Sequence, residues 1–276
     1  MNDQSTPIAA FHALHESGCF VLPNPWDVGS AIYLQHLGFK ALATSSAGFA
    51  FRQGLPDSVA AVPLDMMLKH FREVVEATPL PVNADFQTGY ADEPEGVAKN
   101  VTLCIATGVA GLSIEDATGD SATPLYEIDL AIERVRAARA AIDSTGSRVV
   151  LTARCEAYLV GAADPLRVSL ERLAAFAEAG ADCLYAPGVG QPDEISAIVK
   201  AVSPKPVNVL SFGPSLDLSL GHFTDLGVRR VSVGSGLARV AWDAFMRAAR
   251  TINETGSFAE LANAAPFAEL NQLFSK

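Results

Sequence analysis

A repeated pattern of helix, glycine and short strand constrains the fold of this chain more than any other feature. Four copies are clear: LQHLGFKALAT (34–44), CIATGVAGLSIED (104–116), AAFAEAGADCLYA (174–186) and FTDLGVRRVSVG (223–234). The glycines of these copies suit the left-handed residue that ends a helix, and they are Gly38, Gly108, Gly180 and Gly227. Helices that alternate with strands in this way predict a parallel sheet.

Runs rich in apolar and β-branched residues extend this pattern to eight predicted strands. They are 19–22, 40–44, 81–85, 110–115, 148–154, 182–186, 206–210 and 229–233. With a length of 276 residues, the pattern predicts an α/β fold, a (β/α)8 TIM-type barrel that forms one domain over 1–276. A doubly wound open sheet is the alternative, but it needs a glycine-rich first turn, and LPNPWDVGSA is not one.

The sequence also predicts one helix, the start of another helix and a helical C-terminal tail. The apolar stripe in PLYEIDLAIERVRAARAAI, which includes Leu125, predicts a helix over 124–142. Asp92 and Glu95 predict a capping box around Pro94. The amphipathic segment 253–276 predicts a C-terminal helical extension. It could pack on a neighbouring subunit or close the same barrel, and the pattern does not decide between them.

Composition and charge argue against several kinds of binding partner and location for this protein. The 20 basic and 31 acidic residues leave a net charge of −11, which argues against nucleic acid. The sequence contains no run of 18 apolar residues, so it predicts no membrane span. The amino terminus does not resemble a secretory signal. The four cysteines are widely separated, which is typical of reduced thiols in a cytoplasmic protein.

Polar residues follow several predicted strands at the end where barrel enzymes carry their chemistry. Asp85 and Glu115 end two neighbouring strands, and Arg154 ends the next. The two carboxylates could share a hard cation such as Mg²⁺, while Arg154 could hold a substrate carboxylate by two hydrogen bonds. A metal and a carboxylate clamp suit a small 2-oxo or 2-hydroxy acid. The alternative is a network of salt bridges at the barrel mouth, for example between Arg154 and Glu115.

Two absences at the strand ends exclude other chemistry. No lysine lies there, which argues against a Schiff-base aldolase. No histidine lies there either, which argues against a zinc site and against histidine acid–base catalysis.

Six motifs follow one another along the chain: LPNPWDVGSA, GFKALATSSAGFAFRQGLPD, NADFQTGYAD, GLSIED, LTARCEAYL and KPVNVL. Their order resembles the isocitrate lyase / phosphoenolpyruvate mutase superfamily over about residues 18–250. This superfamily includes methylisocitrate lyase, phosphonopyruvate hydrolase and oxaloacetate-processing members. The resemblance implies a (β/α)8 barrel, a homo-oligomer (tetramer or dimer) that exchanges its last helix between subunits, and Mg²⁺ or Mn²⁺ as cofactor. It also implies a C–C or C–P bond made or broken through an enolate-like species.

The resemblance also assigns roles to individual residues. The implied metal site has Asp85 as direct ligand, with Glu115, Asp57 and Gln87 around the metal waters. The implied substrate-binding residues are those of one turn and two strand ends, Ser45, Ser46, Ala47, Arg154 and Asn208. Arg154 and Tyr90 are the catalytic candidates, although Tyr90 could instead be a packed wall of the pocket.

Three departures from the superfamily pattern bear on the reaction. Gln87 stands where a second acidic residue is typical, so one charge is missing from the metal site. The loop ATGDSATPLYEID has no cysteine, lysine, histidine or asparagine. It therefore lacks both the acid/base cysteine that the lyases carry there and the loop with lysine and asparagine of the mutases and phosphonopyruvate hydrolases. Pro187 replaces a glutamate of the lyases. These departures argue against an ordinary isocitrate or methylisocitrate lyase and an ordinary phosphonomutase.

Three functions follow as hypotheses. The first is an Mg²⁺-dependent lyase or decarboxylase that cleaves a C–C bond in a small 2-oxo or 2-hydroxy acid through a metal-stabilised enolate. The second is C–P chemistry on a phosphonopyruvate-like substrate. The third is a barrel that binds a metabolite without catalysis.

Overall fold

The computed structural model describes residues 6–275, in which eight short parallel strands alternate with helices. The strands are β1 (Phe20–Leu22), β2 (Leu42–Ala43), β3 (Val82–Asp85), β4 (Gly111–Glu115), β5 (Val150–Arg154), β6 (Cys183–Tyr185), β7 (Val207–Leu210) and β8 (Arg230–Ser232). Their ladders run in the order β1-β8-β7-β6-β5-β4-β3-β2. This nearly closed barrel confirms the predicted (β/α)8 fold, and every strand lies within its predicted range.

The helices surround this barrel. They are α1 (Pro7–Glu16), α2 (Val28–His36), α3 (Ser46–Arg52), α4 (Leu64–Glu76), α5 (Pro94–Ile105), α6 (Ile128–Thr145), α7 (Pro165–Glu178), α8 (Pro192–Val202), α9 (Leu220–Asp225), α10 (Gly236–Thr255) and α11 (Phe267–Phe274). Residues 1–5 and 276 of the predicted domain lie outside the described residues, and the single-domain boundary 1–276 stays a prediction. No helix of the described part is long and apolar enough to cross a membrane; the cytoplasmic location stays a prediction.

The four predicted helix-ending glycines have the expected backbone. Their φ angles are positive, at 87°, 89°, 107° and 81° for Gly38, Gly108, Gly180 and Gly227. A side chain would be strained in this region, and glycine is not. The sequence pattern therefore identified these helix ends correctly.

One predicted helix forms with different bounds, and one capping prediction was wrong. The helix predicted over 124–142 begins at Ile128 and ends at Thr145, because Leu125 forms an antiparallel bridge with Ala117 and so lies outside the helix. The predicted capping box does not form. Glu93 is the N-cap of α5 without a side-chain hydrogen bond, and the carboxylate of Asp92 accepts the Tyr126 hydroxyl at 2.5 Å instead.

A seam remains between the first and last strands of the ladder order. No ladder joins β1 to β2. Two hydrogen bonds of the described residues connect them here, from the Ala43 amide to the Pro23 carbonyl (3.0 Å) and from the Asn24 side-chain amide to the Thr44 carbonyl (2.9 Å). Asn24 also accepts the Gly234 amide beyond β8 (2.9 Å). One asparagine thus links the loops on both sides of the seam.

Side chains that point into the barrel form layers, because alternate strands contribute to each level. The strand register gives a lowest layer of Ala41, Gly111, Cys183 and Arg230, and above it a layer of Leu22, Asn83, Thr152 and Asn208. The next two layers are Ala43, Ser113, Tyr185 and Ser232, and then Asn24, Asp85, Arg154 and Leu210. Small and polar residues thus occupy an interior that bulky branched residues fill in most barrels of this type.

Gly111 is required in the lowest layer by the helix below it. A Cβ at this position would lie 2.6 Å from Phe11 of α1 and 2.7 Å from Asn83 Oδ1. We therefore expect Gly111→Ala to lower the free energy of unfolding by about 1–3 kcal/mol, the usual cost of overpacking a core. Urea denaturation measures this, with Gly221→Ala as control because the nearest atom there is 3.5 Å away. An equal loss in both variants would contradict the packing explanation.

The chain beyond β8 leaves much apolar surface uncovered. In α10 only Gly236 and Ala238 are buried, while Val240 is 68% and Phe245 is 61% exposed. After a 3-10 turn over Ala259–Asn263, α11 returns to the barrel, where the Phe274 ring lies against Gly29 of α2. The predicted extension is therefore helical, and its last helix contacts its own chain.

Candidate active site

Asp85 ends β3, and three neighbours fix its position. Its backbone amide donates to Thr44 Oγ1 (2.9 Å). Oδ2 accepts the Ser46 amide (2.9 Å), and Oδ1 accepts Arg154 Nη1 (2.7 Å). The carboxylate predicted to bind a metal is therefore held at the carboxyl ends of the strands before any ligand arrives.

The predicted substrate-binding turn lies directly beside Asp85. Ser45 is the N-cap of α3, and its hydroxyl accepts the Gly48 amide at 3.1 Å. This cap fixes the turn through Ser46 and Ala47, which line the same cavity as Asp85. The Ser46 amide, predicted to bind a substrate carboxylate, donates to Asp85 in this structure.

Arg154 lies among three carboxylates at the end of β5. Nη1 lies 2.7 Å from Asp85 Oδ1, Nη2 lies 3.2 Å from Glu115 Oε2, and Nε lies 2.9 Å from Glu156 Oε1. The salt-bridge network considered as an alternative is therefore present. A guanidinium has five N–H donors, so two of them remain for a ligand.

Gln87 and Asp57 lie behind this network. The Gln87 side-chain amide donates to Asp57 Oδ1 at 3.1 Å. Its Oε1 is buried and has no hydrogen-bond partner among the described residues. Gln87 also has a positive φ of 47°, a conformation uncommon for a residue with a side chain. A strained backbone and an unsatisfied acceptor together favour a functional role over a packing role.

Negative charge exceeds positive charge at this site. Asp57, Asp85, Glu115 and Glu156 lie around Arg154, and Arg230 is the other arginine that lines the cavity. Burial raises the pKa of Glu115 to about 8, Arg154 opposes this, and Glu156 and Asp85 add to it. Burial, followed by the charge of Asp85, likewise raises the pKa of Asp57. The neighbouring cations are thus too few to offset the free-energy cost of keeping all these buried carboxylates ionised.

These residues fit a divalent cation bound through oxygen atoms. A cation would compensate the excess carboxylate charge, and a metal-bound water could donate to the unpartnered Gln87 Oε1. Residues 6–275 contain no ready cage of three ligating side chains. Mg²⁺ does not need one, because it keeps several waters and takes only one or two carboxylates directly.

Tyr90 lies apart from the cavity. It follows Gly89 in a turn with a φ of 58°, and its ring lies 5.4 Å from that of Phe86. Its hydroxyl is buried without a partner among the described residues, and burial raises its pKa, with Asp85 adding to the shift. The packing interpretation matches this position, and the acid/base role stays a prediction.

One cavity of about 150 Å³ brings most of the predicted residues together. Its walls include Ser45, Ser46, Ala47, Asp57, Asp85, Arg154 and Asn208. Glu115 and Gln87 reach it only through their contacts with Arg154 and Asp57. The loop 117–124, which lacks a cationic residue, does not contribute to its walls.

Two charged residues of the site, Glu156 and Arg230, were not predicted from the sequence. Glu156 was visible two residues beyond Arg154 but received no role. Arg230 lines the cavity from the lowest layer. The alternation in VRRVSVG could have indicated it, since Arg230 and Ser232 share one face of a strand.

A polar cavity at the carboxyl ends of eight parallel strands is the arrangement found in (β/α)8-barrel enzymes. The comparison with known families is specific: the model of the phosphoenolpyruvate phosphomutase family matches residues 11–253. The chain belongs to this family, and so to the isocitrate lyase / phosphoenolpyruvate mutase superfamily of enzymes.

Solved structures agree with this assignment. A protein of Burkholderia cenocepacia J2315, provisionally described as a lyase/mutase, is 45% identical with a TM-score of 0.94, and the match covers 99% of this chain and 97% of that one. Oxaloacetate acetylhydrolase in complex with oxalate is 27% identical, with a TM-score of 0.85 and coverage of 97% and 93%. Phosphonopyruvate hydrolase in complex with oxalate and Mg²⁺ is 25% identical, with a TM-score of 0.84 and coverage of 98% and 95%. A lyase-type activity on a C–C or C–P bond follows.

Proposed function

We propose that this protein is an Mg²⁺-dependent (or Mn²⁺-dependent) lyase or decarboxylase that cleaves a C–C bond in a small 2-oxo or 2-hydroxy acid. The observation that carries the proposal is the carboxylate cluster around Arg154, which borders a small cavity beside the Ser45–Ala47 turn. Two structural relatives hold oxalate, a planar dianion that resembles the enolate of a 2-oxo acid.

Each residue would have a defined task. Asp85 would bind the metal directly, while Glu115, Asp57 and Gln87 would hold its waters. The bound metal would act as a Lewis acid toward developing negative charge. The turn at Ser45, Ser46 and Ala47 and the two free donors of Arg154 would orient the carboxylate of the substrate, because oriented N–H groups stabilise charge without reorganisation.

The lack of an obvious proton donor limits which reactions the site could catalyse. The loop 117–124 has no cysteine, lysine or histidine, and the Tyr90 hydroxyl is buried. Decarboxylation of an oxaloacetate-like acid makes the least demand on this loop, since CO₂ leaves without a protein acid. We therefore favour a C–C bond next to a carboxylate as the bond that breaks.

Calorimetric titration with oxalate tests the proposal. We expect binding in the presence of Mg²⁺ and none in the presence of EDTA. Steady-state assays with oxaloacetate should then yield metal-dependent pyruvate. Failure to bind oxalate under both conditions would refute the metal site, whereas binding without turnover of oxaloacetate would redirect the search to other acids and to the metabolite-binding alternative.

C–P chemistry has less support. A phosphonate needs cationic partners, and the loop 117–124 provides none. Arg52 is exposed and does not line the cavity. Release of phosphate from phosphonopyruvate in the same assays would favour this alternative over the C–C proposal.

We also propose that the exposed apolar face of α10 and the tail assemble the protein into a homo-oligomer, as the superfamily resemblance implies. Val240, Phe245 and Phe267 are 68%, 61% and 81% exposed, more apolar surface than a monomer usually leaves clustered. Light scattering at micromolar concentration measures the mass. A monomer would contradict the proposal.

A further inference from the structure

The interior of the barrel remains open below the metal-binding residues. Directly beneath the layer of Asp85 and Arg154, three of the four inward residues are small: Ala43, Ser113 and Ser232. All three line the cavity, as do Asn83 and Asn208 one layer lower. The cavity therefore continues down the barrel axis, past the site where a metal and a single carboxylate would bind.

Arg230 forms the floor of this cavity. Its side chain is 2% exposed. Nε donates to Asn208 Oδ1 (2.9 Å), Nη2 donates to Thr152 Oγ1 (3.0 Å), and Nη1 lies 3.4 Å from His15 Nε2. The guanidinium thus reaches up from the lowest layer to the level of Thr152 and Asn208.

None of these partners balances the charge of Arg230. Asn208 and Thr152 are neutral. Burial, followed by the charge of Arg230, lowers the pKa of His15 to about 3, so this ring is neutral as well. No carboxylate pairs with Arg230 among residues 6–275, where its polar contacts are the three above. Because arginine stays protonated in proteins, the floor carries a permanent charge that an anion would stabilise.

The floor also has hydrogen-bonding capacity to spare. Three of the five N–H donors of Arg230 face the partners above, which leaves two. Asn83 Oδ1, in the same layer as Asn208, is buried without a partner and could accept from a water or from a protonated ligand. A site with spare donors and an unsatisfied polar atom is prepared for a polar ligand.

We propose that Arg230 binds the second carboxylate of a dicarboxylic substrate, whose first carboxylate lies at the Ser45–Ala47 turn and Arg154. This inference rests on the proposed function and specifies its substrate class. The Thr152 layer and the Arg154 layer are two residues apart along each strand, or about 5 Å along the axis. The two carboxylate carbons of an extended four-carbon acid are about 4 Å apart, so such an acid can reach both ends.

Binding of paired ligands tests this role. Malate is lactate with a second carboxylate in place of a methyl hydrogen, and oxalate fills only the upper site. We expect Arg230→Met, titrated calorimetrically with Mg²⁺ present, to weaken malate binding by about 30-fold, the typical effect of a lost hydrogen bond to a charged group. Lactate and oxalate affinities should change by less than about threefold, since the wild-type floor does not touch them.

A second variant leaves Arg230 intact, so the proposal can still be tested if Arg230→Met does not fold. Ala43→Leu should fill the middle of the cavity, so malate binding should again fall while oxalate binding remains. Equal weakening of all three ligands in Arg230→Met, or unchanged malate binding in both variants, would overturn the proposal and leave Arg230 a structural residue. If wild-type protein fails to bind oxalate with Mg²⁺, the proposed function itself fails, which is a separate outcome.

Discussion

Asp85→Ala is expected to abolish metal-dependent oxalate binding, with a loss of affinity of at least about 100-fold, beyond what even indirect metal contacts usually contribute. Asp85 borders the cavity and accepts the Ser46 amide at 2.9 Å, in the turn that we propose to bind the substrate. The fold should persist, because residues at the carboxyl ends of barrel strands serve function more than stability. Calorimetry with Mg²⁺ and oxalate measures the first effect, and thermal unfolding measures the second.

Asp182 provides the matched control at the opposite end of the barrel. It precedes β6, and its Oδ2 accepts the Leu151 amide (2.8 Å) and Arg139 Nη1 (3.0 Å). Asp182→Ala should therefore lower the melting temperature and leave oxalate binding unchanged. If Asp85→Ala unfolds the protein while Asp182→Ala does not, the assignment of Asp85 to the metal site is wrong.

Arg154→Met is expected to have the largest effect on stability. Arg154 is the cation shared by Asp85, Glu115 and Glu156, and all four side chains are largely buried. Removal of one partner from a buried ion pair typically costs about 3–5 kcal/mol, because the remaining charge is uncompensated. Urea denaturation at pH 8 measures the loss. Arg154→Lys keeps the charge but not the three-way geometry, so its loss should be smaller.

The cost of Arg154→Met should depend on pH with a defined sign. Burial already raises the pKa of Glu115 to about 8, and loss of the cation raises it further. A carboxyl group whose pKa is higher in the folded than in the unfolded state stabilises the fold most below its unfolded pKa, and this contribution is lost as pH rises through the folded pKa. The variant should therefore be nearest to wild type near pH 5 and furthest from it above pH 8. A loss independent of pH would show that Arg154 acts by packing rather than by charge.

Fold and site were predictable from sequence to different extents. The barrel was predictable, since the strands are short apolar runs and several of them follow a helix-ending glycine such as Gly108 or Gly180. Asp85 and Arg154 were also predictable as strand-end residues. Their mutual contact was not, because spacing along the chain does not disclose which partner a guanidinium selects among several nearby carboxylates.

The start of α6 and the burial of Arg230 were also missed, because both depend on contacts that the sequence pattern does not show. The start of α6 was misplaced because Leu125 has an apolar side chain that suits a helix, yet its backbone pairs with Ala117. Arg230 received no role because a basic residue in a strand usually indicates the surface. Its burial follows from contacts with Thr152 and His15, which are 78 and 215 residues away in sequence.

The seam between β1 and β2 has a consequence for local stability. Amide groups in a full ladder exchange with solvent only when several hydrogen bonds break together, whereas Ala43 and Asn24 hold this edge with one bond each to the facing strand. Local opening requires the least free energy where few bonds must break. The seam adjoins the Ser45–Ala47 turn, so the most easily opened edge of the barrel is also the one that carries the amides we propose to bind a carboxylate. Opening at this edge would leave the ladders from β2 around through β8 to β1 intact.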